Sequence, residues 1–200
     1  MDSYVSVAEF RAVSRTSHTD EHIQAVLDSA KETIDEFLGR TFSVSMGETR
    51  VFGVDLDYVG SLHASMGIDD FVVGAEVDVQ VGETPTSDFV DPPGDWWLGP
   101  VNPKMGWPYT EFHVKHAIPW QNRYVRVTGD WGWPRLPAPV KRAALLISQR
   151  TLQREVSPMG QLSAGGGPGA GEFGQVFVKK VDPDVQAWLR PYKRSHLLGW

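Results

Sequence analysis

The hydrophobic pattern of this chain changes its period twice, and this restricts the fold more than any other feature. Up to Gly39 apolar residues recur at the three- and four-residue spacing of an amphipathic helix. Across residues 41–131 they alternate with polar residues in short runs, which is typical of strands with one buried face. Helical spacing then returns at Ala138. The sequence therefore predicts an α+β fold, in which a small helical core carries an inserted antiparallel β lobe.

Capping signals predict the helices of this core. A polar cap and two acidic residues open the first long helix, and a glycine closes it. A serine-proline pair ends the central helix, because proline disfavours helix at the residue before it. The predicted helices are an amphipathic helix at 19–39, a central helix at 138–156 and a C-terminal helix at 183–193, preceded by a short helix that a capping box at Ser6 and Glu9 opens.

The two long helices differ in their predicted faces. In helix 19–39 a single apolar stripe is predicted to be buried, and Lys31 lies on the opposite, solvent-facing side. The central helix has two apolar sides, one around Val140 and the other around Leu152, so both sides need a partner.

Composition narrows the function classes. The chain has 200 residues, 41% of them apolar, and a formal net charge of -6, which argues against a protein that grips phosphates. Cysteine is absent, which excludes disulfides and thiolate metal sites and favours folding in a reducing cytoplasm. No signal sequence or membrane-spanning stretch is recognisable, so we expect a soluble, untargeted protein.

The ionisable residues do not form a recognisable catalytic pattern. His113 and His116 lie three apart on a predicted strand, and Asp69-Asp70 is predicted to form a turn before a strand, so neither pair shares a site. The glycine-rich run at 157–174 follows a helix and precedes a strand, which is the reverse of a phosphate-binding loop. We predict no catalytic, metal-binding or cofactor-binding residues, and no enzyme.

Tryptophans mark the β lobe. Residues 92–108, rich in proline and glycine, are predicted to form an ordered excursion rather than a strand. The indoles allow two interpretations, a carbohydrate-binding β module or, favoured here, a core and an oligomer interface. They are Trp96, Trp97, Trp107, Trp120, Trp131 and Trp133.

The motif GDWGWP joins the predicted lobe to the central helix. Gly129 and Gly132 are expected to let the backbone turn out of the last strand. Trp131 and Trp133 are expected to wedge that turn against the core, and Pro134 to prevent an early helix.

In their order along the chain, these features resemble the head-to-tail connector, or adaptor, proteins of long-tailed double-stranded DNA phages. The segments that carry the resemblance are 6–10 (SVAEF), 35–42 (DEFLGRTF), 125–134 (VRVTGDWGWP), 137–146 (PAPVKRAALL), 157–160 (SPMG), 182–185 (DPDV) and 189–192 (LRPY). The excursion at 92–108 departs from the smallest members of the family.

The resemblance implies a single adaptor domain over 1–200 and a structural role in the virion. It implies a ring of twelve copies beneath the portal protein, assembled in the host cytoplasm, which meets the next connector or tail protein. DNA would pass through the bore without specific binding, and no membrane or cofactor is involved. The resemblance places on a portal-facing arm at 193–200 the residues Lys193, Arg194, His196, Leu197, Leu198 and Trp200. Packing between subunits or within the lobe is predicted for Trp131, Trp133, Leu145, Leu152 and Val156.

Overall fold

The fold combines helices with one antiparallel sheet. The computed structural model describes residues 3–54, 63–86, 88–92, 94–115, 124–156 and 183–194. These residues contain four α-helices and a six-stranded antiparallel sheet, which confirms the predicted α+β class. The chain divides into a helical unit, Met1–Arg40 with Leu136–Ser195, and a β unit centred on Thr41–Arg135. The predicted glycine-rich segment at 157–174 lies outside the described residues.

The helical unit contains α1 (Val7–Val13), α2 (Asp20–Leu38), α3 (Ala138–Val156) and α4 (Pro183–Leu189). Helix α3 packs against both α2 and α4. The bounds of α2 and α3 agree with the prediction. The helix predicted at 183–193 is α-helical only as far as Leu189, and a short 3-10 helix follows at Arg190–Tyr192. A proline in that last turn has no N–H to donate, so the α-helical ladder ends there.

Local signals explain where the first two helices begin and end. The Ser6 hydroxyl accepts from the Glu9 N–H, and the Glu9 carboxylate accepts from the Ser6 N–H, so the predicted capping box is confirmed. Thr19 caps α2 in the same manner by accepting from the His22 N–H. Gly39 ends α2 with φ 65°, a left-handed conformation that glycine adopts without a steric penalty.

The buried stripe of α2 follows the predicted spacing, with one correction. Lys31, predicted to face solvent, is buried. Its Nζ donates to Asp35 Oδ2 over 3.0 Å and lies 5.2 Å from the centroid of the Tyr4 ring. The Tyr4 hydroxyl donates to Asp35 Oδ1, so the segment before α1 covers the lysine stem. A helical wheel of α2 alone cannot include this covering segment.

Helix α3 buries residues of both predicted apolar sides, Val140 of one and Leu152 of the other, and it packs against α2 and α4. Val140, Ala144, Ser148 and Leu152 recur at four-residue intervals and are all buried. This stripe turns by about 40° at each four-residue step, so Leu152 lies about 120° around the helix from Val140. Leu145 is half-buried at the border of the stripe.

The β unit is built from six short strands. They are β1 (Ser45–Gly53), β2 (His63–Phe71), β3 (Val77–Gly82), β4 (Trp96–Gly99), β5 (Tyr109–Lys115) and β6 (Tyr124–Trp131). The strand order is β1-β6-β2-β5-β4, and β3 also pairs with β6. Side chains alternate between half-buried and buried along β6, as expected for a strand with one face on a core.

The four-residue strand β4 corrects the prediction for residues 92–108. Trp97 is in register with His113 and Leu98 with Phe112, so part of the excursion joins the sheet. The prolines of this region lie outside β4, and therefore they do not interrupt its hydrogen-bonded ladder.

Two further predictions are wrong in the β unit. Asp69 and Asp70 belong to strand β2 rather than to a turn. Gly129 does not help the chain to turn, because it lies inside β6. A Cβ at Gly129 would lie 2.5 Å from Phe71 Cζ, so glycine is needed there for close packing. Only Gly132 of this pair has a positive φ, 113°.

Candidate functional site

The first residues of the predicted portal-facing arm are docked on the end of α2. The Arg194 N–H donates to the Leu38 carbonyl oxygen over 3.0 Å. The Lys193 ammonium lies 5.5 Å from the centroid of the Phe37 ring. The structure therefore fixes the origin of this segment on the helical unit. The other four predicted arm residues lie outside the described residues, namely His196, Leu197, Leu198 and Trp200.

Trp131 and Trp133 lie in the interior of the β unit, where each is 1% exposed. Trp131 contacts the Phe71 ring edge-to-face with centroids 5.1 Å apart. Trp133 contacts Phe42 and Trp107, each with centroids 5.0 Å apart. Both indoles pack within one unit of one chain.

The three predicted packing residues of α3 differ in their exposure. Leu152 is buried within the helical unit, and Leu145 is half-buried. Val156 is the last residue of α3. Of these, Leu145 keeps part of its apolar side chain exposed.

The outer tryptophans have ring partners within the chain. The Trp97 indole stacks on the His113 imidazole, with centroids 5.3 Å apart and ring planes 6° apart. Trp96 is tilted against Phe112 at 6.1 Å. One face of the Trp97 indole is thus already covered, although a stacking sugar requires an accessible indole face. Trp120, the remaining predicted indole of the lobe, lies outside the described residues.

The ionisable pairs weighed in the sequence do not share a site. Asp69 Oδ2 accepts from Arg50 over 2.9 Å, whereas Asp70 Oδ2 accepts from the Trp133 indole over 2.9 Å. These adjacent carboxyl groups therefore have different partners, as expected on a strand. His113 Nε2 lies 3.0 Å from Glu111 Oε2, and His116 lies outside the described residues.

An ion-pair cluster surrounds Arg50 on β1. Its guanidinium donates to Glu48 and Asp69 and lies 4.7 Å from the centroid of the Trp131 ring. The hydrogen bond from Arg50 lowers the pKa of Glu48 below its ordinary value. The cluster ties β1 to β2 and has the character of a structural network.

Strand β1 presents an exposed edge. Among the described strands it pairs only with β6. Met46 is 81% exposed and Val51 is 41% exposed, and Val44 just before the strand is 45% exposed. An exposed edge that carries apolar side chains is a template for pairing with another strand. The sequence interpretation did not single out this edge.

A second feature missed in the sequence is a cluster of His18, His22 and Glu155 in the helical unit. His22 Nε2 lies 2.6 Å from Glu155 Oε2. The two imidazole centroids are 5.0 Å apart. The four-residue spacing of the histidines was a visible signal, but Glu155 is 133 positions from His22 and only the fold brings it near.

Comparison with known proteins does not assign this chain to a family. No protein-family model and no curated protein sequence matches it. Among the described residues, no helix has the length and apolar character needed to cross a membrane.

Proposed function

We propose that this chain is a head-to-tail adaptor of a long-tailed double-stranded DNA phage. Copies of it form a ring beneath the portal protein and join the capsid to the tail around the DNA channel. The observation that carries the proposal is the order of the structural elements along the chain. A helical unit is built from segments before and after a six-stranded sheet, and the C-terminal segment leaves from the end of α2 at Arg194. This order supports the family resemblance of the sequence.

The edge of β1 supports self-association. A ring needs a heterologous contact, in which one surface of a subunit binds a different surface of the next. One half of such a contact is offered by the apolar side chains of Met46 and Val51, together with the main-chain groups on the side of β1 that pairs with no described strand. Leu145 offers additional apolar surface on α3.

The net charge of -6 supports a DNA channel that does not retain its cargo. Proteins that hold DNA neutralise its phosphates with lysine and arginine, and their affinity depends on these contacts. An acidic ring repels the phosphate backbone, so DNA can move through the bore without specific binding.

Electron microscopy and native mass spectrometry of the full chain, alone and mixed with a portal protein, test the proposal. We expect closed rings of twelve copies that bind the portal. The paired substitution Met46→Lys with Val51→Lys should reduce ring formation. The control Met105→Lys, at an exposed residue outside β1, should leave ring formation unchanged. A chain that stays monomeric at high concentration and with the portal would contradict the proposal.

Truncation after Arg194 tests the portal-facing arm. It removes residues 195–200 and keeps the Arg194 contact with Leu38. We expect rings that no longer bind the portal. Unchanged portal binding would show that the arm assignment is wrong, even if the ring itself forms.

The carbohydrate-binding alternative makes a different prediction. It requires the chain to bind polysaccharide and to lose that binding when Trp96 or Trp97 is replaced by alanine. The ring contacts of Trp96 and Trp97 with Phe112 and His113 favour a packing role for these indoles. A glycan array that shows no binding at high protein concentration would eliminate the alternative.

A further inference from the structure

Three metal-ligating side chains meet at one corner of the helical unit. His18 lies just before the N-cap of α2, His22 lies in the first turn of α2, and Glu155 lies in the last turn of α3. One ligand atom from each of the three lies within 4.8 Å of the other two. The cluster thus joins parts of the chain that are far apart in sequence.

The donor set suits a divalent transition metal. Two imidazole nitrogens with one carboxylate oxygen form a ligand set that Zn²⁺ uses, at about 2.0–2.2 Å from each donor. Donors on one tetrahedral ion are then roughly 3.3 Å apart, so no pair of donor atoms has to approach by more than about 1.5 Å. His22 Nε2 and Glu155 Oε2, now 2.6 Å apart, have to separate slightly to admit the ion. The side chains of His22 and Glu155 are 43% and 41% exposed, which leaves their rotamers free to adjust.

The backbone around both histidines is already held in place. Arg11 Nη2 donates to the His18 carbonyl oxygen over 2.8 Å, and the same guanidinium donates to Asp20 Oδ1 over 2.6 Å. The His22 N–H donates to the hydroxyl of Thr19, the N-cap of α2. Such support lowers the entropic cost of binding, because the backbone that carries the two histidines is already ordered and the ion has to fix only the side-chain rotamers.

The local electrostatics allow a cation at this position. The N-terminus of a helix carries a partial positive charge, which opposes a bound cation. Asp20 and Glu21 lie in this first turn and offset that charge, and Asp20 also pairs with the nearby Arg11. Glu155 adds a carboxylate at the cluster itself.

We propose that His18, His22 and Glu155 bind one divalent transition-metal ion, with Zn²⁺ as the preferred ion. The fourth coordination position is left for water or for a donor from another molecule. The bound ion cross-links the segment before α2 to the end of α3 and so stabilises the helical unit, because it binds the folded chain in preference to the unfolded one. This site does not depend on the adaptor role.

Isothermal titration of the metal-free full chain with ZnCl₂ tests the site. We expect one bound Zn²⁺ per chain and a higher melting temperature in its presence. Co²⁺ should give the visible absorption bands of a tetrahedral ion, and Mg²⁺ should not compete, because it prefers oxygen ligands.

Substitutions of the ligands separate this site from adventitious binding. His18→Ala, His22→Ala and Glu155→Gln should each weaken Zn²⁺ binding by more than about tenfold. The matched controls are His113→Ala and Glu32→Gln, which lie outside the cluster and should leave the affinity unchanged. Absence of binding to the unmodified chain, or affinity that survives the loss of either histidine, would overturn the proposal.

Discussion

Trp133 and Asp70 form a hydrogen bond in the interior of the β unit, where the indole Nε1 donates to Asp70 Oδ2 over 2.9 Å. Both residues are buried. The carbonyl oxygen of Asp70 accepts a second hydrogen bond, from the Gly132 N–H over 2.7 Å. Asp70 therefore accepts hydrogen bonds from both residues that follow β6, Gly132 and Trp133. A buried carboxyl group is costly without such donors, so the pairing makes an acidic side chain in this position tolerable.

Replacement of Trp133 by phenylalanine should lower the free energy of unfolding by about 1–3 kcal/mol, because a buried acceptor loses its donor. Chemical denaturation followed by circular dichroism measures this change. A double-mutant cycle with Asp70→Ala, which removes the acceptor, provides the control. We expect a coupling free energy above about 0.5 kcal/mol, whereas additive effects would show that the hydrogen bond contributes little.

Four glycine-to-alanine substitutions should separate backbone strain from steric overlap. At Gly132 both apply, since φ is 113° and a Cβ would lie 2.1 Å from the Ser43 carbonyl oxygen. Gly47 has only the positive φ, Gly129 has only the overlap, and Gly67 has neither.

Gly132→Ala should therefore be the most destabilising of the four in chemical denaturation. Gly47→Ala should cost about 1–2 kcal/mol, the penalty of a left-handed alanine, and Gly67→Ala should have little effect. Equal stability of the Gly132→Ala and Gly67→Ala proteins would contradict this interpretation of the turn after β6.

Signals that lie close together in sequence predicted much of this fold. Thr19 and Gly39 mark the ends of α2 because a cap acts on the adjacent turn. The alternation along β6 likewise reflects a property of the strand itself. Such elements can be located without knowledge of what they contact.

Features that depend on distant partners were not predictable in this way. The strand β4 is only four residues long, and its pairing of Trp97 with His113 is hidden in a segment rich in proline and glycine. Lys31 is buried because Tyr4 covers it. The approach of Glu155 to His22 likewise depends on the packing of α3 against α2.

The pKa of Glu9 should respond to Lys141. The hydrogen bond from Lys141 Nζ to Glu9 Oε1, 2.5 Å long, lowers the pKa of Glu9, and the bond from the Ser6 N–H lowers it further. A lowered carboxyl pKa stabilises the fold above the pKa of the unfolded state, and this contribution is lost as pH falls through the folded pKa. The stability gained from this pair is therefore lost in acid, below the ordinary glutamate range.

A pH titration followed by NMR measures the Glu9 carboxyl group directly. Lys141→Met should raise its pKa toward the ordinary value, and the pH dependence of stability should weaken in the same acidic range. Lys115→Met, a substitution in the β unit, is the matched control and should leave Glu9 unchanged. A Glu9 pKa that does not move in Lys141→Met would show that the ion pair is not formed in solution.

Ser148 is the polar member of the buried stripe of α3. It is 0% exposed, and among the described residues its Oγ has no hydrogen-bond partner. Ser148→Ala should raise the free energy of unfolding by about 1 kcal/mol, because it removes a buried polar group without leaving a large cavity. Alanine also has the higher helix propensity, so Ser29→Ala on the exposed face of α2 is the matched control for that contribution. Chemical denaturation of the three proteins compares them, and a Ser148→Ala protein less stable than the unmodified chain would show that the hydroxyl group stabilises the fold.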